Sequence, residues 1–206
     1  MRTVIFTAAA IGALSLAGCS APLLHSVAPE ETLVSDPGLV GEWVSDGGTT
    51  TRVTVTQGSG GKYEGALTIH QKSELKAGLG LEIGLTQIAE DRYVDLFLSQ
   101  PDRERLAGRY GFLVLPVHQF MMIQREGDTL TVWSFDPHWI SRAAADNNFS
   151  CEVLPVSGSD VAVVTAPSTS LRDFLRRHAH DPGALAAPML FRRAHPPADP
   201  SPANTH

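Results

Sequence analysis

The chain has 206 residues, with 22 acidic against 16 basic ones and a formal net charge of −6. That length suits a single domain. An acidic chain without basic runs is a poor partner for phosphate polymers, whose affinity comes from neutralised phosphates, and nucleic acid is excluded on that ground.

Met1, Arg2 and Thr3 are followed by an apolar run from Val4 to Leu16. A basic start, a short apolar core and a small-residue exit are the three regions of a secretory signal. The thirteen residues of the core are too few to cross a bilayer, which takes about 20 in a helix. The run leaves through Leu16, Ala17, Gly18 and Cys19, a stretch that resembles the lipobox of bacterial lipoproteins. The resemblance implies that residues 1–18 are a lipoprotein signal peptide, that the Cys19 thiol takes a diacylglyceryl group, and that the chain is cut before it. The new amine is then acylated, palmitate being the expected chain. Ser20 stands where retention in the inner membrane uses Asp, which implies sorting to the outer membrane, lipid-anchored on its periplasmic side. Cleavage removes Arg2 and no acid, so the net charge moves from −6 to −7. Two or more acyl chains hold a protein stably where one binds reversibly.

Residues 19–37 mix Pro, Ser, small and acidic residues without a period. They are expected to form a lipid-anchored flexible tether, about 20–25 Å in mean reach. One globular domain is expected over 38–193, and the Pro-rich stretch 194–206 is expected to be disordered.

The domain opens on Leu39 to Val44, LVGEWV, whose Gly41-x-Trp43 is similar to the opening of the lipocalins. That resemblance implies a ligand-holding barrel in which Trp43 closes one end against an arginine late in the chain, Arg192 or Arg193. In lipocalins the helix follows the barrel strands, whereas here the strong helix precedes the last strand. Trp43 is equally well explained as core, a large apolar body behind a glycine bend.

Val53 and Val55, then Tyr63, Leu67 and Ile69, alternate around the GSGG turn at Gly58 to Gly61 and predict a hairpin. Leu79, Leu81, Ile83 and Leu85 alternate with Gly80, Glu82, Gly84 and Thr86. Past an AEDR turn, Val94, Leu96 and Leu98 continue the pattern on a paired strand. Gly80 and Gly84, opposite the leucines, predict a bend or a close backbone approach. A third hairpin joins VHQFMMIQ to TLTVWSF through REGD. Its Phe120, Met121, Met122 and Ile123 are apolar on both faces and should be covered on both sides.

Asp136 and Pro137 form an N-cap and first-turn pair for PHWISRAAA, which stops at DNN. Cys151 lies in CEVLP, a predicted strand. With Cys19 lipidated it has no partner for an intramolecular disulfide, and it reads as a small buried hydrophobe. STSLRDFLRRHAHDPG predicts a helix that Ser170 and Asp173 can cap, with Leu171, Phe174, Leu175 and His178 on one face. Short strands at Val161 to Thr165 and Met189 to Arg193 flank it. The fold class is α+β: mostly antiparallel β hairpins forming a curved sheet or partial barrel, with a docked C-terminal helix.

Trp43, Phe120, Met122 and Trp133 are candidates for ligand binding or core. His118, His138 and Asp95 could meet at a metal, yet neither HExxH nor a His pair at i, i+4 occurs, and no metal is assigned. His178 suits a helix C-terminus through the dipole. Gly-x-Ser-x-Gly is missing and GSGG opens no helix, so no catalytic residue or cofactor is assigned. The expectation is a lipid-anchored, non-enzymatic envelope domain that binds an envelope protein or other partner. The alternative is a lipocalin-like carrier of a small apolar ligand, and the third reading is an envelope hydrolase. An unfilled apolar interior favours the carrier; a filled core with an exposed apolar patch favours the interaction domain.

Overall fold

The computed structural model of the protein describes residues 21–45, 50–71, 74–110, 117–146, 150–156 and 159–194. The signal segment, Cys19, the Asn147–Asn148 helix stop and the tail beyond Ala194 lie outside the described residues.

Alternation of period two makes most of the fold. The strands are β1 (Gly41–Ser45), β2 (Thr50–Gln57), β3 (Tyr63–Gln71), β4 (Glu74–Ile88), β5 (Asp91–Leu98), β6 (Gln119–Glu126) and β7 (Thr129–Ser134). They are followed by β8 (Cys151–Val156), β9 (Ser159–Val164) and β10 (Met189–Arg193). The three hairpins form as their patterns predict: Val53 pairs with Leu67, Ile83 with Leu96, Leu85 with Val94 and Met122 with Trp133. The sheet is not an open curved layer, however. Strands β1 to β7 run in order, and β10 closes the ring by pairing with β7 on one side and β1 on the other, giving an eight-stranded antiparallel barrel. Closure removes the edges an open sheet would expose.

Between β7 and β10 the chain makes an excursion that carries the remaining elements. Helix α2 (Pro137–Asp146) leads to the β8–β9 hairpin and then to helix α3 (Ser168–His178); helix α1 (Gln100–Tyr110), which the apolar pattern did not predict, lies earlier, after β5. The ends of the excursion are tied together: Phe135 bridges Leu185, and the Ala186 amide donates to the Ser134 carbonyl at 2.9 Å. The helix that precedes the last strand is therefore an insertion into the final hairpin, and the barrel keeps its simple up-and-down order.

Asp136 caps α2 as expected, accepting from the Trp139 amide at 2.8 Å. Helix α3 starts at Ser168, behind Pro167, with no side-chain cap from Ser170 or Asp173. Its Leu171, Phe174 and Leu175 are buried on the outside of the barrel wall. Arg172 extends from the same helix to the Val27 carbonyl (2.9 Å), Thr86 Oγ1 (2.8 Å) and the Gln87 carbonyl (3.0 Å).

Residues 21–37, expected to be a free tether, are part of the fold from Ala21 onward. Ala21, Leu23, Val27 and Ala28 are buried in the layer between the barrel and the helices. Leu23 and His118 exchange amide-to-carbonyl hydrogen bonds at 2.9 Å, and the Val164 amide donates to Pro22. Gly84 explains part of this: a Cβ there would lie 3.1 Å from that of Ala28, so the glycine admits the crossing chain. Gly80 does the same for the start of α1, where a Cβ would meet Ser99.

Candidate functional site

Successive side chains on a strand face opposite ways, so the barrel wall has an apolar inner face and an outer face that is apolar where the helices and the N-terminal segment cover it. The inner one is lined by Leu67, Leu81, Ile83, Val94, Met121 and Ile123, with Val132 and Phe191 on the closing strands. They surround an unfilled space of about 110 Å³. Thr51 and Tyr63 bring the hydroxyls of the lining, and the Tyr63 hydroxyl is engaged, accepting from the Asp36 amide at 2.6 Å.

One end of this space is sealed. A 3-10 turn at Pro37–Leu39 crosses beneath the barrel and buries Leu39. Trp43 stands above it, fully buried, with its indole N–H donating to the Leu39 carbonyl at 2.8 Å. The Arg193 guanidinium lies 4.4 Å from the Trp43 ring and donates to the carbonyls of Val40 (2.7 Å) and Gly38 (2.5 Å), and to Asp128 at 3.0 Å. Gly41 has φ 137°, and a side chain there would collide with the Arg193 guanidinium. That combination makes this residue a glycine.

Asp36 completes the floor. Its buried carboxylate pairs with Arg92 at 2.7 Å and Arg125 at 3.2 Å and accepts from the Gly38 amide at 2.9 Å. Burial alone would raise its pKa. The Arg125 hydrogen bond, the Gly38 amide and the charges of Arg125 and Arg92 outweigh that and hold it below the usual carboxylate range.

The other end differs. Around Ile69, Leu79, Leu96, Leu98 and Met189 the inward apolar side chains are only half-buried. This end is the mouth.

Comparison with family models, curated proteins and solved structures gave no match.

Of the four candidates for ligand binding or core, Trp43, Phe120, Met122 and Trp133, only Trp43 lines the cavity. Phe120 and Met122 are buried on the outer face of β6, and Trp133 is half-buried against the same outer layer. Their neighbours Met121 and Ile123 point inward instead. His118 and Asp95 do meet, at 2.6 Å, with the imidazole stacked on Phe97. His138 is exposed on α2 and takes no part, and among the described residues no group of three His, Cys, Asp or Glu side chains is placed to hold a metal.

Asp95 is 3% exposed and also accepts from Ser26 Oγ at 2.5 Å and from the Val27 amide at 2.7 Å. The serine and the histidine bond to different oxygens of one carboxylate, so the carboxylate stands between them and the hydroxyl does not reach the imidazole. This arrangement binds the N-terminal segment to the wall. His178 pairs with Asp181 at 2.9 Å and stacks on Phe174. Cys151, expected as a small buried hydrophobe, is half-buried, and burial together with Glu152 pushes its thiol pKa up.

Reasoning from sequence missed Asp36, Arg92 and Arg125, and it brought Asp95 to His118 without the bonds from Ser26 and the Val27 amide. Asp36 had a signal: Asp-Pro-Gly is the same cap-and-turn pattern recognised at Asp136–Pro137.

Proposed function

We propose that the protein is a carrier or binder of a small apolar ligand, held at the cell envelope by a lipid on Cys19. The observation that supports the carrier reading is the unfilled apolar space inside the barrel, sealed at Trp43 and lined by half-buried side chains at the far end. An apolar cavity of about 150 Å³ stays dry and accepts a benzene-sized guest, so the 110 Å³ here suits one slender group, such as the end of an alkyl chain. The lining offers an entering polar head few partners, which leaves the head at the mouth. Met121 and Met189 are unbranched and adjust to the guest's shape. The large exposed apolar side chains among the described residues, Val40, Leu75 and Leu190, lie on separate strands or turns and give the competing protein-interaction reading less support. Anchoring rests on the Leu16–Cys19 pattern, and the outer membrane on Ser20.

Two measurements test this. Unlipidated Cys19→Ser protein should bind an environment-sensitive naphthalene dye saturably, with blue-shifted emission. Leu96→Trp, which fills the cavity from its upper wall, should abolish the response while leaving the fold intact by circular dichroism. A wild-type response that never saturates, or one that Leu96→Trp leaves unchanged, rejects the carrier. Intact mass of the membrane-bound protein should show a diacylglyceryl-modified, acylated Cys19 as the first residue; an unmodified thiol rejects the anchor.

A further inference from the structure

The path of the N-terminal segment fixes which end of the barrel a lipid on Cys19 would approach. Leu23 is bridged in both directions to His118, the residue before the start of β6 at Gln119. Strand β6 begins at the mouth end, the end where β5 finishes at Leu98 and β7 finishes at Ser134. From there the segment descends the outer wall past Asp95 and reaches the floor at Asp36. Ala21 is 1% exposed and thus belongs to the packed body. Cys19 precedes it by two residues, which a chain spans in at most about 7–8 Å.

The two ends of the barrel differ in the same sense. The floor carries the charged set Asp36, Arg92, Arg125, Asp128 and Arg193, while the inward side chains at the mouth are half-buried aliphatics, with Leu75, at the start of β4, 61% exposed; the Arg103–Glu82 and Arg105–Asp102 pairs of α1 lie on the outer face of the wall near that end.

We infer that the barrel stands mouth-down on the bilayer, so that its apolar cavity opens directly toward the lipid phase and takes its guest from the membrane. The inference rests on the Cys19 anchor proposed above. The short reach from Cys19 to Ala21 leaves no room for the domain to turn over, and the aliphatic rim meets an apolar surface while the ionic floor stays in water. The partner is a lipid surface, and the guest a membrane amphiphile whose alkyl end enters first.

The test uses full-length lipidated protein with Cys151→Ser, reconstituted in phosphatidylethanolamine–phosphatidylglycerol vesicles. A fluorophore is placed at the mouth through Leu75→Cys, or at the floor through Ser59→Cys, in the turn between β2 and β3. Nitroxide carried on the lipid headgroups should quench the mouth label severalfold more than the floor label. A flexible Gly/Ser linker of about 20 residues between Ser20 and Ala21, long enough to let the domain tumble, should erase the difference. Equal quenching at native spacing, or stronger quenching at the floor, overturns the orientation while leaving the anchor standing. Protein that fails to float with the vesicles overturns the anchor and the orientation together.

Discussion

The two faces of β6 are equally apolar in sequence and opposite in packing, Phe120 and Met122 outside and Met121 and Ile123 inside. Outside, between the wall and the helices, aromatic rings follow one another: Tyr93 and Phe120 stack on Phe135, Phe135 meets Trp139, and Trp139 meets Phe174, with centroids 4.9–6.3 Å apart. Inside, mostly aliphatic and methionine side chains, joined by Trp43, Tyr63 and Phe191, line a space they do not fill. Large flat rings close a layer of variable thickness, and such offset pairs add about 0.5–1.5 kcal/mol each beyond their buried area. The contrast separates two tasks: the outer layer supplies cohesion, and the interior is free to stay partly empty.

The sharpest way to break this comparison is to truncate one residue in each layer. Phe174→Ala removes a ring buried to 2% exposure and should cost about 3–5 kcal/mol. Leu96→Ala removes a half-buried side chain that borders empty space, and should cost only about 1–2 kcal/mol. Urea denaturation of the two variants decides the matter; equal losses would mean that the interior is packed as tightly as the outer layer.

A second, smaller effect concerns how the outer layer is fastened. Asp95→Ala leaves the buried Val27 amide without its acceptor, at about 1–3 kcal/mol for an orphaned donor. Proteolysis near residues 21–28 should accelerate while dye binding survives, because the segment lies outside the cavity. Loss of dye binding alongside would tie the two layers together.

The smallest effect sharpens the picture of the floor. The folded pKa of Asp36 lies below its unfolded value of about 3.9. Its contribution to stability is therefore fully present above that unfolded value and lost as pH falls through the lower folded one. Urea midpoints measured from pH 6 downward should decline in wild type and decline less steeply in Asp36→Asn. Parallel profiles would remove Asp36 from the pH response.

Much of this was legible beforehand, for a physical reason. Period-two alternation is local, so Leu81, Ile83 and Leu85 announced their strand and its inner face, and the double-sided apolar run at Phe120–Ile123 announced cover on both sides. Closure was implied only by the resemblance at Gly41-x-Trp43 and not by the local pattern, because it depends on β10 meeting β1 far away in sequence. Assignment of faces failed for the same run: a strand apolar on both sides does not reveal which side is the cavity, and Phe120 and Met122 turned out to face the helices. Helix α1 was missed because QPDRERLAGRY carries almost no apolar stripe. The segment 21–37 was misread because its Pro and Ser content looks like a linker, while Leu23, Val27 and Ala28 are buried through contacts far away in sequence. At the cavity, Trp43 was found through Gly41-x-Trp43, and Arg193 was one of two arginines expected against it. The ion pairs at Asp36 join residues dozens of positions apart and left no local trace beyond Asp-Pro-Gly.

Strand β10 has a consequence in time as well as in space. It forms both seams of the ring, yet it ends at Arg193 of a 206-residue chain. Emerging from the N-terminus first, β1 to β7 can pair in sequence as neighbours, but the cylinder stays split until β10 has been delivered. Until then β1 and β7 expose unpaired edges, the kind of surface on which chains aggregate. Completion is thus a single late event that joins the first strand of the ring to the last, and a chain cut short before Met189 would have everything needed for a sheet and nothing with which to shut it.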